Sequence, residues 1–154
     1  MADVKGFLCE AIELARENVR KGGRPFGAVL VKDGKVIATG VNEIFATGDP
    51  TTHAELQAIR VASQVLGSPR LDGCVIYASG HPCPMCLSAM HLTGIREFAY
   101  AYSNEEGEPY GLSTAAIYAE MAKPLAAQLL KADHVPVRIA GEDPYEIWKA
   151  RTKA

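Results

Sequence analysis

Three potential metal ligands stand out in this sequence: His53, Cys83 and Cys86. An imidazole nitrogen and two cysteine thiolates suit zinc, and three protein ligands leave a fourth coordination position for water. A Cys-x-x-Cys pair alone is weak evidence, because redox proteins and structural zinc sites also contain it. The preceding proline, Pro82, and a histidine about thirty positions upstream make the pattern specific, and it predicts a zinc site with an open position.

Glu55 lies two positions after the histidine and gives the predicted zinc site a chemical task. Zinc lowers the pKa of a bound water toward about 7, so a nearby carboxylate can take its proton and pass it to a leaving amine. The combination of H-x-E with P-C-x-x-C, here residues 53–55 and 82–86, is typical of zinc deaminases that attack an amine-bearing ring carbon.

Two non-catalytic interpretations compete with this one. His81 could supply a fourth ligand and close the site into a structural zinc knuckle. The two cysteines could instead form a thioredoxin-like redox pair. Neither alternative gives Glu55 a task, so we favour the catalytic interpretation. Cys9 and Cys74 lie within apolar patterns and are expected to be small core residues.

Both halves of the motif are predicted to lie at the start of a helix. Thr51 and Thr52 can cap a helix beginning near His53, and Gly67 can end it. The segment from Pro82 to Cys86 opens a second helix, which Gly94 terminates. Two helix N-termini would then face one metal, and their positive ends favour thiolate over thiol.

The remaining pattern is an alternation of helices and strands. The pair Asp33-Gly34 between two apolar runs is a strong β-hairpin signal. The order helix, hairpin, helix, strand, helix, strand, helix, strand, helix predicts a three-layer α/β domain with helices on both faces of a mixed sheet. Further elements are predicted at 7–19 (helix), 74–78 and 95–102 (strands), 103–113 (loop), 115–121 and 124–131 (helices), 135–140 (strand) and 143–151 (helix).

Size and charge restrict the class of protein. A chain of 154 residues and 16.5 kDa is predicted to form one domain, residues 1–154. The formal net charge of −2 offers no general attraction for nucleic acid or an anionic membrane. No apolar run approaches the roughly 18 residues that a membrane span needs. With no targeting segment visible, we expect a cytoplasmic protein whose four cysteines stay reduced.

Several segments resemble the cytidine-deaminase-like superfamily, and within it the small bacterial guanine deaminases. The resemblance extends over nearly the whole chain and is densest from Pro25 to Leu87. It rests on these segments: 25–29 (PFGAV), 31–34 (VKDG), Gly40-x-Asn42, 49–55 (DPTTHAE), 58–60 (AIR) and 82–87 (PCPMCL).

The resemblance implies a fold, an assembly and a set of roles. The fold would be a three-layer α/β/α sandwich with a five-stranded mixed sheet, one catalytic zinc per chain and a homodimer. The C-terminal segment would cross to cover the partner's pocket. The implied roles are zinc binding by His53, Cys83 and Cys86, proton transfer by Glu55, hydrogen bonding to the substrate ring by Asn42, substrate orientation by the backbone N–H groups of Ala54 and Cys83, and pocket lining by Phe26.

One departure bears on the substrate. Guanine deaminases of this type have acidic residues where this chain has Ser113 and Thr114. Glu105, Glu106 or Glu108 could supply a carboxylate from a shifted loop. We therefore expect deamination of a small nucleobase, first guanine to xanthine, with cytosine, a nucleoside or an aminotriazine as the alternative. A tRNA adenosine deaminase and a non-catalytic zinc-stabilised interaction module rank lower.

Overall fold

The computed structural model describes residues 3–152, which form seven α-helices and four strands. A first compact unit ends at Ala122 and a second begins at Lys123. The helices of the first unit are α1 (Val4–Arg20), α2 (Ile44–Thr47), α3 (Ala54–Leu66), α4 (Pro84–Thr93), α5 (Asn104–Gly107) and α6 (Ala115–Met121), and its strands are β1 (Gly27–Lys32), β2 (Lys35–Val41), β3 (Cys74–Gly80) and β4 (Glu97–Tyr102). The second unit contains a 3-10 turn at Leu125–Ala127 and α7 (Pro144–Thr152).

The strands form one mixed sheet in the order β2-β1-β3-β4. Strand β1 pairs antiparallel with both β2 and β3, whereas β3 and β4 are parallel and are joined through α4. Asp33 and Gly34 connect β1 to β2 with φ values of 51° and 75°, the positive values that a tight hairpin turn requires. The predicted hairpin is confirmed.

Alternation along β1 divides the core between the two faces of the sheet. Ala28 and Leu30 belong to a cluster with residues of α3 and α4. Val29 and Val31 belong to a second cluster, against which α1 packs Phe7, Leu8 and Leu14. Successive side chains of a strand point to opposite faces, so one apolar strand serves both layers. The three-layer α/β/α architecture is confirmed.

The predicted fifth strand at residues 135–140 is wrong for the described structure, whose sheet has four strands. An extended segment becomes a strand only when a neighbour completes its hydrogen-bond ladder. Residues 135–140 have no such ladder, and the side chains of Val135, Val137 and Ile139 are exposed.

Three other predictions need correction. Cys74 is buried as predicted, but Cys9 on α1 is exposed and is not a core residue. Residues 124–131 form the single 3-10 turn at Leu125–Ala127 rather than a helix. The predicted loop at 103–113 contains α5 and a 3-10 turn at Glu108–Tyr110. Helix α5 begins with a capping box in which Ser103 and Glu106 each accept a hydrogen bond from the other's backbone N–H.

In the described part of the chain, no helix is long and apolar enough to cross a membrane.

Candidate active site

The three predicted ligands lie at the starts of the two helices on the same face of the sheet. His53 is the N-cap residue of α3, and Cys83 is the N-cap residue of α4 with Cys86 in its first turn. Both N-cap residues have extended backbone, at φ −73°, ψ 154° for His53 and φ −71°, ψ 166° for Cys83. The predicted convergence of two helix N-termini is confirmed.

The distances between the ligand atoms fit a tetrahedral zinc ion. His53 Nδ1 lies 3.4 Å from Cys83 Sγ and 3.7 Å from Cys86 Sγ, and the two sulfurs are 3.5 Å apart. Zinc bonds of about 2.3 Å to sulfur and about 2.0 Å to nitrogen, at tetrahedral angles, would separate these atoms by about 3.5–3.8 Å. Among residues 3–152 this is the one such group of three potential ligands.

The two neighbouring thiols shift each other's pKa in opposite directions. Hydrogen bonding with Cys86 lowers the pKa of Cys83 to about 4, with help from His53. Hydrogen bonding with Cys83 and, to a smaller extent, burial raise the pKa of Cys86. The backbone N–H of Cys86 also donates to Cys83 Sγ over 3.5 Å. A cation at the centre of the triangle would stabilise both thiolates together.

Glu55 lies in the first turn of α3, and its side chain is buried. Burial raises the pKa of its carboxyl group, and hydrogen bonding with the Cys86 thiol opposes that rise. A carboxyl group with a raised pKa holds a proton more readily than an ordinary glutamate, and next to a metal site it can both accept and return one. Glu55 therefore lies close to the Cys86 thiol, but it is not one of the three residues of the ligand cluster.

His81 is absent from this cluster, so the structure does not support a closed site with four ligands. Its Nδ1 atom lies 3.0 Å from the carbonyl oxygen of Pro82. Its ring lies edge-on to Tyr100 and Tyr118, with centroid distances of 4.6 Å and 5.2 Å.

Asn42 is buried and firmly held at the end of β2. Its backbone N–H donates to Phe26 O, and its carbonyl accepts from Asn18 Nδ2. Its side-chain Oδ1 accepts from the backbone N–H of Ile44 over 3.1 Å. Within residues 3–152 its Nδ2 amide has no hydrogen-bond partner, so this group can serve a ligand.

Phe26 lies next to the end of β3 and lines a cavity of about 360 Å³. A Cβ added to Gly80 would meet the Phe26 ring at 3.2 Å, so Gly80 is what allows this close approach. His81, Tyr102, Asn104 and other residues complete the lining. His53, Glu55 and Asn42 do not line this cavity.

The family is evident from comparison with known proteins. The sequence model of the cytidine and deoxycytidylate deaminase zinc-binding region matches residues 1–102. The chain belongs to this family. As a member, it is a zinc-dependent hydrolytic deaminase, and the ligand triangle described above fits that metal.

Individual relatives agree with this assignment. The guanine deaminase of Bacillus subtilis (strain 168) is 40% identical over 144 residues, 93% of this chain and 92% of that protein. The X-ray structure of B. subtilis guanine deaminase matches with a TM-score of 0.86 and 38% identity, covering 97% and 95% of the two chains. A tRNA-specific adenosine deaminase of Aquifex aeolicus (strain VF5) is 30% identical over 93% of this chain and 92% of its own length. The crystal structure of NE0047 in complex with 2,6-diaminopurine matches at 27% identity and a TM-score of 0.70, over 74% and 64% of the two chains.

Ser113 and Thr114 directly precede α6, and Thr114 is its N-cap residue. The backbone N–H of Thr114 donates to Asn104 Oδ1, and Ser113 Oγ accepts from the backbone N–H of Ala115. Glu106, which the sequence offered as a substitute carboxylate, is engaged in the capping box of α5.

Sequence reasoning missed one residue of the site, Tyr118. This tyrosine of α6 donates a hydrogen bond from its hydroxyl to the Pro82 carbonyl, directly before Cys83. The signal available in the sequence was weak, because a tyrosine within a short apolar helix is ordinarily a packing residue.

Proposed function

We propose that this deaminase converts guanine and water to xanthine and ammonia. The observation that supports guanine above other amines is the 40% identity to the B. subtilis guanine deaminase over 93% of the chain. The A. aeolicus tRNA-specific enzyme aligns over the same share of the chain at only 30% identity. The reaction replaces the exocyclic C–N bond of guanine with a C–O bond, and the nitrogen leaves as ammonia.

In this proposal His53, Cys83 and Cys86 hold the zinc ion through Nδ1 and two thiolates. Their separations of 3.4–3.7 Å support the assignment. When bound, the metal acts as a Lewis acid that lowers the pKa of a water molecule at its open position. The positive ends of α3 and α4 favour the two thiolates over thiols.

Glu55 is proposed as the acid–base residue. Its carboxylate takes a proton from the attacking water, places it on the ring, and delivers the second proton to the departing amine. Its burial and raised pKa support the ability to hold a proton between these steps. Its position close to the Cys86 thiol supports proton transfer beside the metal ligands.

Substrate binding is assigned to Asn42, Phe26 and the backbone N–H groups of Ala54 and Cys83. The Asn42 amide is fixed through Oδ1 by the Ile44 N–H, which leaves its Nδ2 donors for a ring acceptor such as a purine nitrogen. Ala54 is the first residue of α3, where backbone N–H groups lack partners within the helix. Phe26 supplies an apolar surface for a planar base.

The proposal includes a homodimer in the cytoplasm. The unit from Lys123 onward exposes large apolar side chains, including Ile139 at 85%, Tyr145 at 84% and Trp148 at 63%. Exposed apolar groups of this size are typical of surfaces that meet another protein. All four cysteines are free, as expected where thiols stay reduced.

The substrate is tested by ammonia release from a panel of amines. Purified zinc-loaded enzyme is given guanine, guanosine, adenine, cytosine, cytidine, aminotriazines and a tRNA. We expect the highest kcat/KM with guanine, and xanthine as the product. A hundredfold higher kcat/KM with another heterocycle would contradict the substrate assignment, and Ser113 and Thr114 would then be the first positions to exchange for aspartate.

A further inference from the structure

The Pro82 carbonyl oxygen accepts two side-chain hydrogen bonds. The Tyr118 hydroxyl donates to it from α6, and His81 Nδ1 lies 3.0 Å away. Since a carbonyl oxygen can only accept, the His81 ring must carry its proton on Nδ1 to make this bond. Two donors therefore converge on one peptide group between the end of β3 and the start of α4.

This carbonyl belongs to the same peptide group as the Cys83 N–H. The peptide bond is trans, so the C=O and the N–H point in opposite directions from one plane. Tyr118 and His81 therefore bind the carbonyl side of this peptide group, opposite the Cys83 N–H. In the described part of the chain, that N–H has no hydrogen-bond partner, although Cys83 is buried.

The two donors are themselves well positioned. The His81 ring is packed edge-on between Tyr100 and Tyr118, which restricts its rotation. Burial, followed by the charges of Cys83, Cys86 and Glu55, raises the pKa of Tyr118 to about 12. The phenol is therefore protonated and able to donate at neutral pH.

We propose that Tyr118 and His81 are positioning residues that orient and polarise the 82–83 peptide, so that the Cys83 N–H binds an acceptor atom of the substrate ring. The inference rests on the proposed function, in which this N–H faces the substrate. A hydrogen bond at the carbonyl oxygen draws electron density from the amide nitrogen, and its N–H becomes a stronger donor. The same two contacts fix the plane in which the N–H points.

The polarisation is measured without a substrate, by NMR of ¹⁵N-labelled, zinc-loaded protein. Replacing Tyr118 with phenylalanine keeps the ring and removes the donor, so the amide nitrogen resonance of Cys83 should move upfield in Tyr118→Phe. Tyr100→Phe is the matched control, because it removes a hydroxyl from the other ring beside His81 and leaves the Pro82 carbonyl untouched. It should leave the Cys83 resonance in place.

The functional consequence is measured by guanine turnover. One hydrogen bond is worth about three- to tenfold in affinity, and we expect kcat/KM of Tyr118→Phe to fall by that factor. Zinc content and the thermal unfolding midpoint should stay at their wild-type values. His81→Phe, which keeps a ring between the tyrosines, should change the resonance and kcat/KM in the same direction, whereas Tyr100→Phe should keep wild-type turnover.

The outcomes separate the two proposals. An unchanged Cys83 resonance in Tyr118→Phe overturns the proposed polarisation of the Cys83 N–H by Tyr118, whatever the substrate is. A shifted resonance with unchanged kcat/KM overturns the contact between this N–H and the substrate. If wild-type enzyme does not deaminate guanine at all, the proposed function fails. The Cys83 resonance still decides whether Tyr118 polarises the 82–83 peptide. A fall in turnover caused only by lost zinc would show that Tyr118 is a structural residue.

Discussion

At the scale of single residues, two positions at the start of one helix, two residues apart, have different proposed chemical tasks. His53 stands outside α3 as its N-cap residue, so its ring is free to turn toward the cysteines. Glu55 is inside the first turn and is buried beneath the same site. The i, i+2 spacing therefore separates a proposed metal ligand from a proposed proton carrier. The sequence predicted both residues, because a spacing of this kind depends only on local backbone geometry.

The role proposed for Glu55 is tested by Glu55→Gln. Glutamine retains the size and hydrogen-bonding capacity of the side chain but cannot accept the proton. Because general acid–base catalysis contributes about 10²–10⁴-fold, kcat should fall by at least that factor. Zinc content, measured by atomic absorption, should stay near one ion per chain. Glu97→Gln, at an exposed position of β4, is the control and should keep full activity. Activity of Glu55→Gln within a few-fold of the parent would place the proton transfer elsewhere.

At the scale of elements, local signals predicted most of the fold. The Asp33-Gly34 hairpin and the left-handed helix ends at Gly67 and Gly94 were readable because each depends on a few adjacent residues. The predicted N-cap of α3 was wrong. Thr52 instead donates to Asp49 O, and Thr51 to Asp49 Oδ1, so both hydroxyls stabilise the turn before the helix. Which partner a hydroxyl selects depends on the surrounding loop, and the sequence alone does not specify it.

Gly40 of β2 controls how closely α3 approaches the sheet. A Cβ at this position would lie 2.2 Å from Ala54 O and 2.7 Å from Ala58 N, both backbone atoms that cannot move alone. Gly40→Ala should therefore displace the start of α3, which contains Glu55 and directly follows its N-cap residue His53. Overpacking of this kind costs about 1–3 kcal/mol, and we expect that loss in denaturant unfolding together with weaker zinc retention against a chelator.

Gly27→Ala is the matched control for Gly40→Ala. A Cβ on Gly27 would lie 2.4 Å from Ala11 O, so this change overpacks the sheet against α1 on the opposite face. It should reduce stability by a similar amount and leave zinc retention unchanged. Equal loss of zinc in both variants would show that retention follows global stability and not the position of α3.

At the scale of the whole molecule, the described chain consists of two compact units, and the prediction of one domain stays a prediction. The missing fifth strand and the shortened helix after Pro124 both lie in the second unit. The spacing of its apolar residues predicts ordinary helices and a strand with a buried side. Ile139 and Tyr145 are nevertheless more than four-fifths exposed. Periodicity reports which residues could be buried together, but not what covers them. The proposed metal site was predictable because its residues share one unit and one face of the sheet.

A free base and a nucleic acid differ in charge as substrates. The salt dependence of kcat/KM therefore distinguishes them. Guanine is neutral at pH 7, and the chain has a formal net charge of −2. Screening should therefore have little effect on its capture, and kcat/KM for guanine should change by less than about twofold between 50 and 200 mM KCl. A protein that neutralises six to ten phosphates loses about 10³–10⁵ in affinity over that range. A steep fall in turnover with salt, accompanied by inosine formation in a tRNA, would favour the tRNA adenosine deaminase alternative. A flat salt profile with guanine and no reaction with the tRNA would agree with a site for a free base.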